Sequence, residues 1–73
     1  MTNEVRFLID SLVEQLVVMV VEEYKVSVPQ ALELLYNSQL YEKITDLDTG
    51  LYYQSAGYNY KMLRHEMKYG KIV

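Results

Sequence analysis

Cysteine is absent from this chain of 73 residues. That excludes disulfides and thiolate metal sites, and it is compatible with a reducing compartment. Histidine occurs once, as His65, so a histidine-rich metal centre is impossible within one copy. The three glycines form no cluster, which leaves no loop able to cradle a phosphate. Long apolar runs are missing as well. The longest, Leu16–Val21, is far short of the roughly 20 residues that span a bilayer, and Glu14 and Glu22 flank it, so no membrane partner is expected. Basic residues are outnumbered, seven against ten acids, and a sequence pI near 4.9 lacks the basic footprint of most nucleic-acid binders. The first residues, Met1-Thr2-Asn3-Glu4, carry none of the basic charge that opens a signal peptide. A cytoplasmic protein is expected.

What is present is mostly apolar. A hydrophobic fraction of 51 % with a net charge of only −3 describes a folded chain, and the length allows a single domain over residues 1–73 with one modest core. Charge is unevenly spread. Up to Asp48 nine acids face Arg6, Lys25 and Lys43, a balance of −6; beyond it Lys61, Arg64, Lys68 and Lys71 face Glu66, a balance of +3. Such polarity suits head-to-tail contact between chains or helices, or an acidic partner for the basic end.

Periodicity predicts an all-α bundle of three to four helices. Thr2 or Asn3 caps a long first helix running to about Tyr24, with Glu4 at its positive end. At ~100° per residue, Val5, Leu8, Ile9, Leu12, Val13, Leu16, Met19 and Val20 share one broad face, and Glu4, Ser11, Gln15 and Glu22 lie opposite. Phe7, Val18 and Val21 fall on or beside the polar side. The valine density also admits a strand over Leu16–Val21, but the helical periodicity on both flanks favours helix. Ser27-Val28-Pro29-Gln30 has the chemistry of a capping box with proline in the first turn. It starts a second helix with Val28, Ala31, Leu32 and Leu35 on one face. Ser38 caps a third helix reaching Asp46, with Leu40, Ile44 and then Leu47 facing inward. Asp46-Leu47-Asp48-Thr49-Gly50 is a turn. Leu51 to Gln54 is an extended crossover or a single helical turn. Ser55 then caps a last helix that Gly70 stops, with Ala56, Tyr60, Leu63 and Met67 inward. A tyrosine-rich hairpin across Leu51–Met62 is the rival, since tyrosine favours strands.

Catalytic signatures fail on inspection. His65-Glu66 lacks the second histidine of a zinc-protease helix, because Tyr69 stands in its place. Asp46, Asp48 and Gly50 suggest a calcium loop, yet Leu51 and Gly57 occupy the positions that need glycine and glutamate. Ser11, Ser27, Ser38 and Ser55 mostly sit where helix caps belong, with one imidazole to serve them all. The residues therefore support no catalytic, cofactor or metal site. Lys61, Arg64 and Lys68 form one ridge at i, i+3 and i+7, which Lys71 extends, near Tyr53, Tyr58 and Tyr60. Phosphate neutralisation with base stacking would use such a ridge, giving a small dimeric nucleic-acid-binding regulator as the alternative function. Complementing the helix dipole, or meeting an acidic protein, explains the same residues more simply. Tyr36 and Tyr41 are expected to close the core, with some of Tyr52, Tyr53, Tyr58 and Tyr60 at contacts.

The succession Glu4-Val5-x-Phe7-Leu8-Ile9, Ala31-Leu32-Glu33-Leu34-Leu35, Thr49-Gly50-Leu51-Tyr52 and Tyr58-x-Tyr60-x-x-Leu63 resembles a family of short bacterial proteins of unknown function. These are single helical domains of about this length. Some are encoded beside ADP-ribosyltransferase-like toxin domains, and the resemblance implies an antitoxin or accessory role.

A chain this short buries only about 60–65 % of the surface that its unfolded state exposes. Excess apolar area on the first helix therefore points to a homodimer or to another protein partner. Phe7, Val18 and Val21 are the expected apolar contacts, and Lys61, Arg64 and Lys68 the expected partners of acidic groups. The expected function is a non-enzymatic protein-interaction module.

Overall fold

In the computed structural model, which describes residues 2–71, the fold is all-α. Four helices follow one another: α1 (Asn3–Tyr24), α2 (Val28–Tyr36), α3 (Gln39–Thr45) and α4 (Ala56–Tyr69). Two single 3₁₀ turns, Leu47–Thr49 and Leu51–Tyr53, join α3 to α4. No strand occurs among the described residues, so the tyrosine-rich hairpin is overturned. Tyr58 to Met62 lie inside α4, where the Ser55 cap and an unbroken helical ladder outweigh the β preference of tyrosine.

Every helix starts at a hydroxyl. Thr2 Oγ1 accepts from the Val5 amide at 3.2 Å, Ser38 Oγ from Tyr41 at 3.0 Å and Ser55 Oγ from Tyr58 at 3.1 Å. Ser27 forms the full reciprocal box with Gln30. Each cap satisfies an amide that would otherwise lack a partner, worth about 1 kcal/mol apiece. Left-handed residues end two of the helices: Gly70 (φ 79°) after α4 and, unusually for a non-glycine, Lys25 (φ 58°) after α1.

α1 is the spine. α2 doubles back along one flank of it after the Lys25 reversal, while α4 and the second 3₁₀ turn cover the other. Ile9, Leu12, Val13, Leu16, Val17 and Val20 are buried, and they meet Ala31, Leu35, Leu40, Ile44, Tyr60 and Leu63. The chain closes to a radius of gyration of 11.5 Å, against roughly 11 Å for a single compact body of this length.

Four expectations need correction. Val21 is half-buried and packs against the core, because the reversal at Lys25 brings α2 back along the side of α1 that carries Val17 and Val21. Leu47 is exposed, since the 3₁₀ turn breaks the α-helical spacing that aims Leu40 and Ile44 inward. Val28 is 53 % exposed, while Ala31 and Leu35 are fully buried. Tyr36 is also exposed; only Tyr41, edge-on to it at 5.0 Å, packs on the core.

Two side chains fix the lower half of the bundle. The Glu66 carboxylate of α4 accepts from both amides that open α3, Gln39 at 2.7 Å and Leu40 at 3.0 Å. Negative charge at that helix end is also favoured by the helix dipole. Asn59 is fully buried and donates through Nδ2 to the carbonyls of Leu51 and Ser55 at 3.0 and 3.1 Å, holding the second 3₁₀ turn against α4. Charge-assisted bonds contribute about 1.5–3 kcal/mol. Glu66→Ala is therefore expected to lower the unfolding free energy by about that amount in urea titration, and Glu66→Gln, which keeps one acceptor, by less.

Candidate interaction surfaces

The first surface lies between α1 and α2. Val13 and Val17, each 6 % exposed, form its floor. Val18 stands on the α1 side, and Val28, Leu32 and Tyr36 stand on the α2 side. The latter three are spaced i, i+4 and i+8, so they line one edge of α2, where Leu32 also packs against the core. Asp10 and Glu14 rim the groove. Phe7, 70 % exposed, precedes Val18 by eleven residues and so shares its side of α1, roughly 16 Å along the axis. Of the three apolar residues singled out on α1, the structure leaves Phe7 and Val18 in solvent and half-buries Val21. The sequence reading missed the α2 edge, although the Val28, Leu32, Tyr36 spacing was its signal.

The second surface is formed by α4 and the end of α1. Lys61, Arg64 and Lys68 are all exposed along one ridge, as their spacing requires, and with His65, Tyr24 and Tyr69 they line a shallow open groove. Tyr53 and Tyr58, although exposed, do not line it. Arg64 Nε meets Glu23 Oε1 at 3.2 Å, the one ion pair among the described residues. Both partners are partly solvated, so this contact contributes under about 1 kcal/mol. Tyr69 is 58 % exposed yet has two close neighbours: its ring lies 4.6 Å from the His65 ring, and the Lys68 ammonium sits 5.3 Å from its centroid. His65 Nδ1 is 2.9 Å from the Lys71 carbonyl, which fastens the imidazole across the helix end.

Glu23 organises the junction of the two helices. Burial pushes the Tyr60 hydroxyl up to about 12, and the nearby Glu23 carboxylate adds to the shift while Arg64 opposes it. That hydroxyl donates to the Met19 carbonyl at 3.3 Å, linking α4 to α1. Tyr24 is raised for the same reasons, burial first and Glu23 next. Among the described residues no three His, Asp or Glu side chains converge on a metal position. No helix there is long and apolar enough to cross a membrane.

The Tyr60 shift sets a pH dependence. With the folded-state value above the ordinary 10, the stability that Tyr60 contributes is complete below pH 10. It is lost as the pH rises from 10 through about 12, because the unfolded chain releases a proton that the folded chain keeps. Wild type is expected to lose stability over that range faster than Tyr60→Phe, as followed by circular dichroism in urea at each pH. Parallel alkaline curves for the two proteins would contradict it. Compared with known protein families, curated proteins and solved structures, this chain matches none.

Proposed function

We propose that this chain is a non-enzymatic, cytoplasmic protein-interaction module that acts as a homodimer, and that it serves as an antitoxin-like or accessory partner of a small bacterial toxin or enzyme. The supporting observation is the uncovered apolar surface on α1 and α2. Phe7, Val18, Val28 and Tyr36 are each more than half exposed, and Leu32 joins them in a groove with an apolar floor. Isolated exposed apolar residues are ordinary on any protein, but side chains lining one groove and its continuation form a patch of the kind that partners cover.

The ion chemistry agrees with a protein partner. Arg64 is engaged by Glu23, and the chain's net charge of −3 opposes the approach of a polyphosphate to the exposed Lys61 and Lys68. Surfaces of two kinds, apolar on one side and basic-aromatic on the other, suit recognition between folded chains. The antitoxin-like role rests on the family resemblance carried by Thr49-Gly50-Leu51-Tyr52 and Tyr58-x-Tyr60-x-x-Leu63.

Size-exclusion chromatography with light scattering tests the dimer. The wild-type mass is expected to be twice that of the chain at micromolar concentration, and Val18→Glu combined with Val28→Glu is expected to give a folded monomer. A wild-type protein that stays monomeric up to ~100 µM would remove this reading, as dimers of useful affinity form well below that range. For the antitoxin-like role, co-expression with the enzyme encoded by an adjacent gene is expected to relieve its toxicity. Growth arrest that persists despite soluble expression of both proteins would count against that role.

A further inference from the structure

We infer that the basic, aromatic end of α4 is the complement of the α1–α2 groove on a second copy of this chain, with the Tyr69 ring of one copy seated between Val18 and Tyr36 of the other. This rests on the dimer reading above and specifies how the dimer is made. Three observations lead to it. The first is the chemistry of the groove: an apolar floor of Val13 and Val17, with two carboxylates, Asp10 and Glu14, on its rim. Neither carboxylate has a cationic partner among the described residues. Standing at i and i+4 on one helix, the two repel each other, a small cost that a cation from outside would relieve.

The second observation is the matching excess on α4. Glu23 occupies Arg64, and Glu66, the sole acid of the C-terminal segment, is committed to the start of α3. Lys61 and Lys68 are left without an acidic partner among the described residues, seven residues apart on the ridge. Two uncompensated ammonium groups and two uncompensated carboxylates thus lie on different faces of the same chain. The opposite signs of its two segments, −6 and +3, are cancelled within the fold only at the Glu23–Arg64 pair among the described residues.

The third observation is Tyr69 itself. An exposed tyrosine normally has freedom to lose on binding, but this ring already packs beside the His65 ring and the Lys68 ammonium. Rigid aromatic side chains with a polar tip are the usual anchors of protein interfaces, because little motion is frozen when they are buried. With Tyr69 in the groove, Lys68 arrives at the acidic rim along with it. Such a contact joins unlike surfaces, and it closes as a dimer when made twice about a two-fold axis.

Charge exchange tests the pairing. Lys61→Glu with Lys68→Glu, and separately Asp10→Lys with Glu14→Lys, are each expected to weaken dimerisation by about tenfold or more, as read by sedimentation or light scattering across a dilution series. All four positions are exposed, so helicity at 222 nm is expected to stay at the wild-type level. The decisive arm mixes the two variants, whose reversed charges are again complementary: the mixture is expected to recover dimers that neither forms alone. A milder pair, Lys61→Gln with Lys68→Gln and Tyr69→Ser, replaces the charge reversals if either misfolds, and each is expected to weaken the dimer. Dimers that persist in every variant would overturn this pairing and leave the dimer reading standing; so would monomeric variants that the mixture fails to rescue. A wild-type monomer would remove both. A fluorescent thymidine 20-mer provides the last arm. If wild type binds it with a steep salt dependence that Lys61→Glu with Lys68→Glu abolishes, the ridge belongs to nucleic acid and the pairing falls.

Discussion

The inward arc of α1 is the constraint on which the rest depends. From Leu8 and Met19 on one side to Val17 and Val21 on the other, it covers more than half the circumference of the helix. No single neighbour can cover so wide an arc, so the chain must return to it from two directions. α2 closes one flank immediately, through a reversal sharp enough to hold Lys25 in a left-handed conformation. The other flank waits for α4, whose Tyr60 hydroxyl reaches the Met19 carbonyl. Everything between, including α3 and the two 3₁₀ turns, is the path that connects these two coverings. A core this small leaves little stability in reserve. Side chains at its centre, such as Leu16 and Leu35, are accordingly shielded from solvent altogether.

Much of this was legible in the sequence because it is written in local chemistry. A hydroxyl or a capping box precedes each helix, and these signals act over three residues, within reach of a reading along the chain. Helix faces were legible where the period continued unbroken, as at Ile9, Leu12, Val13, Leu16 and Val20, although the buried Val17 was not among the residues expected on that face. The reading failed where tertiary context decides. Val21 looks polar-sided on a helical wheel, yet a neighbouring helix arrives there. Leu47 follows Leu40 and Ile44 in sequence, but a 3₁₀ turn spoils the count. Glu66 reads as an ordinary surface acid, and its role depends on amides 26 and 27 residues earlier in the chain, which no local pattern announces.

The surface follows from the same economy of length. With α1 covered on two flanks, its third side faces solvent, and the apolar residues on that side are the ones a bundle of this size cannot shelter. The edge of α2 contributes to the same surface because Ala31 and Leu35, not Val28 and Tyr36, determine how that helix sits. α4 has the opposite character. Its inward positions are few, and its outward positions collect the cations and the exposed Tyr69. The division of charge along the chain thereby becomes a division between faces.

The bond from Glu66 to the start of α3 has a bearing on the order in which the chain acquires its shape. Seven residues are too few for a helix to persist alone in water. In synthesis, Gln39 and Leu40 are made before the Glu66 carboxylate that accepts from their amides. The last helix is thus both a wall of the finished bundle and the latch that sets the preceding one in place.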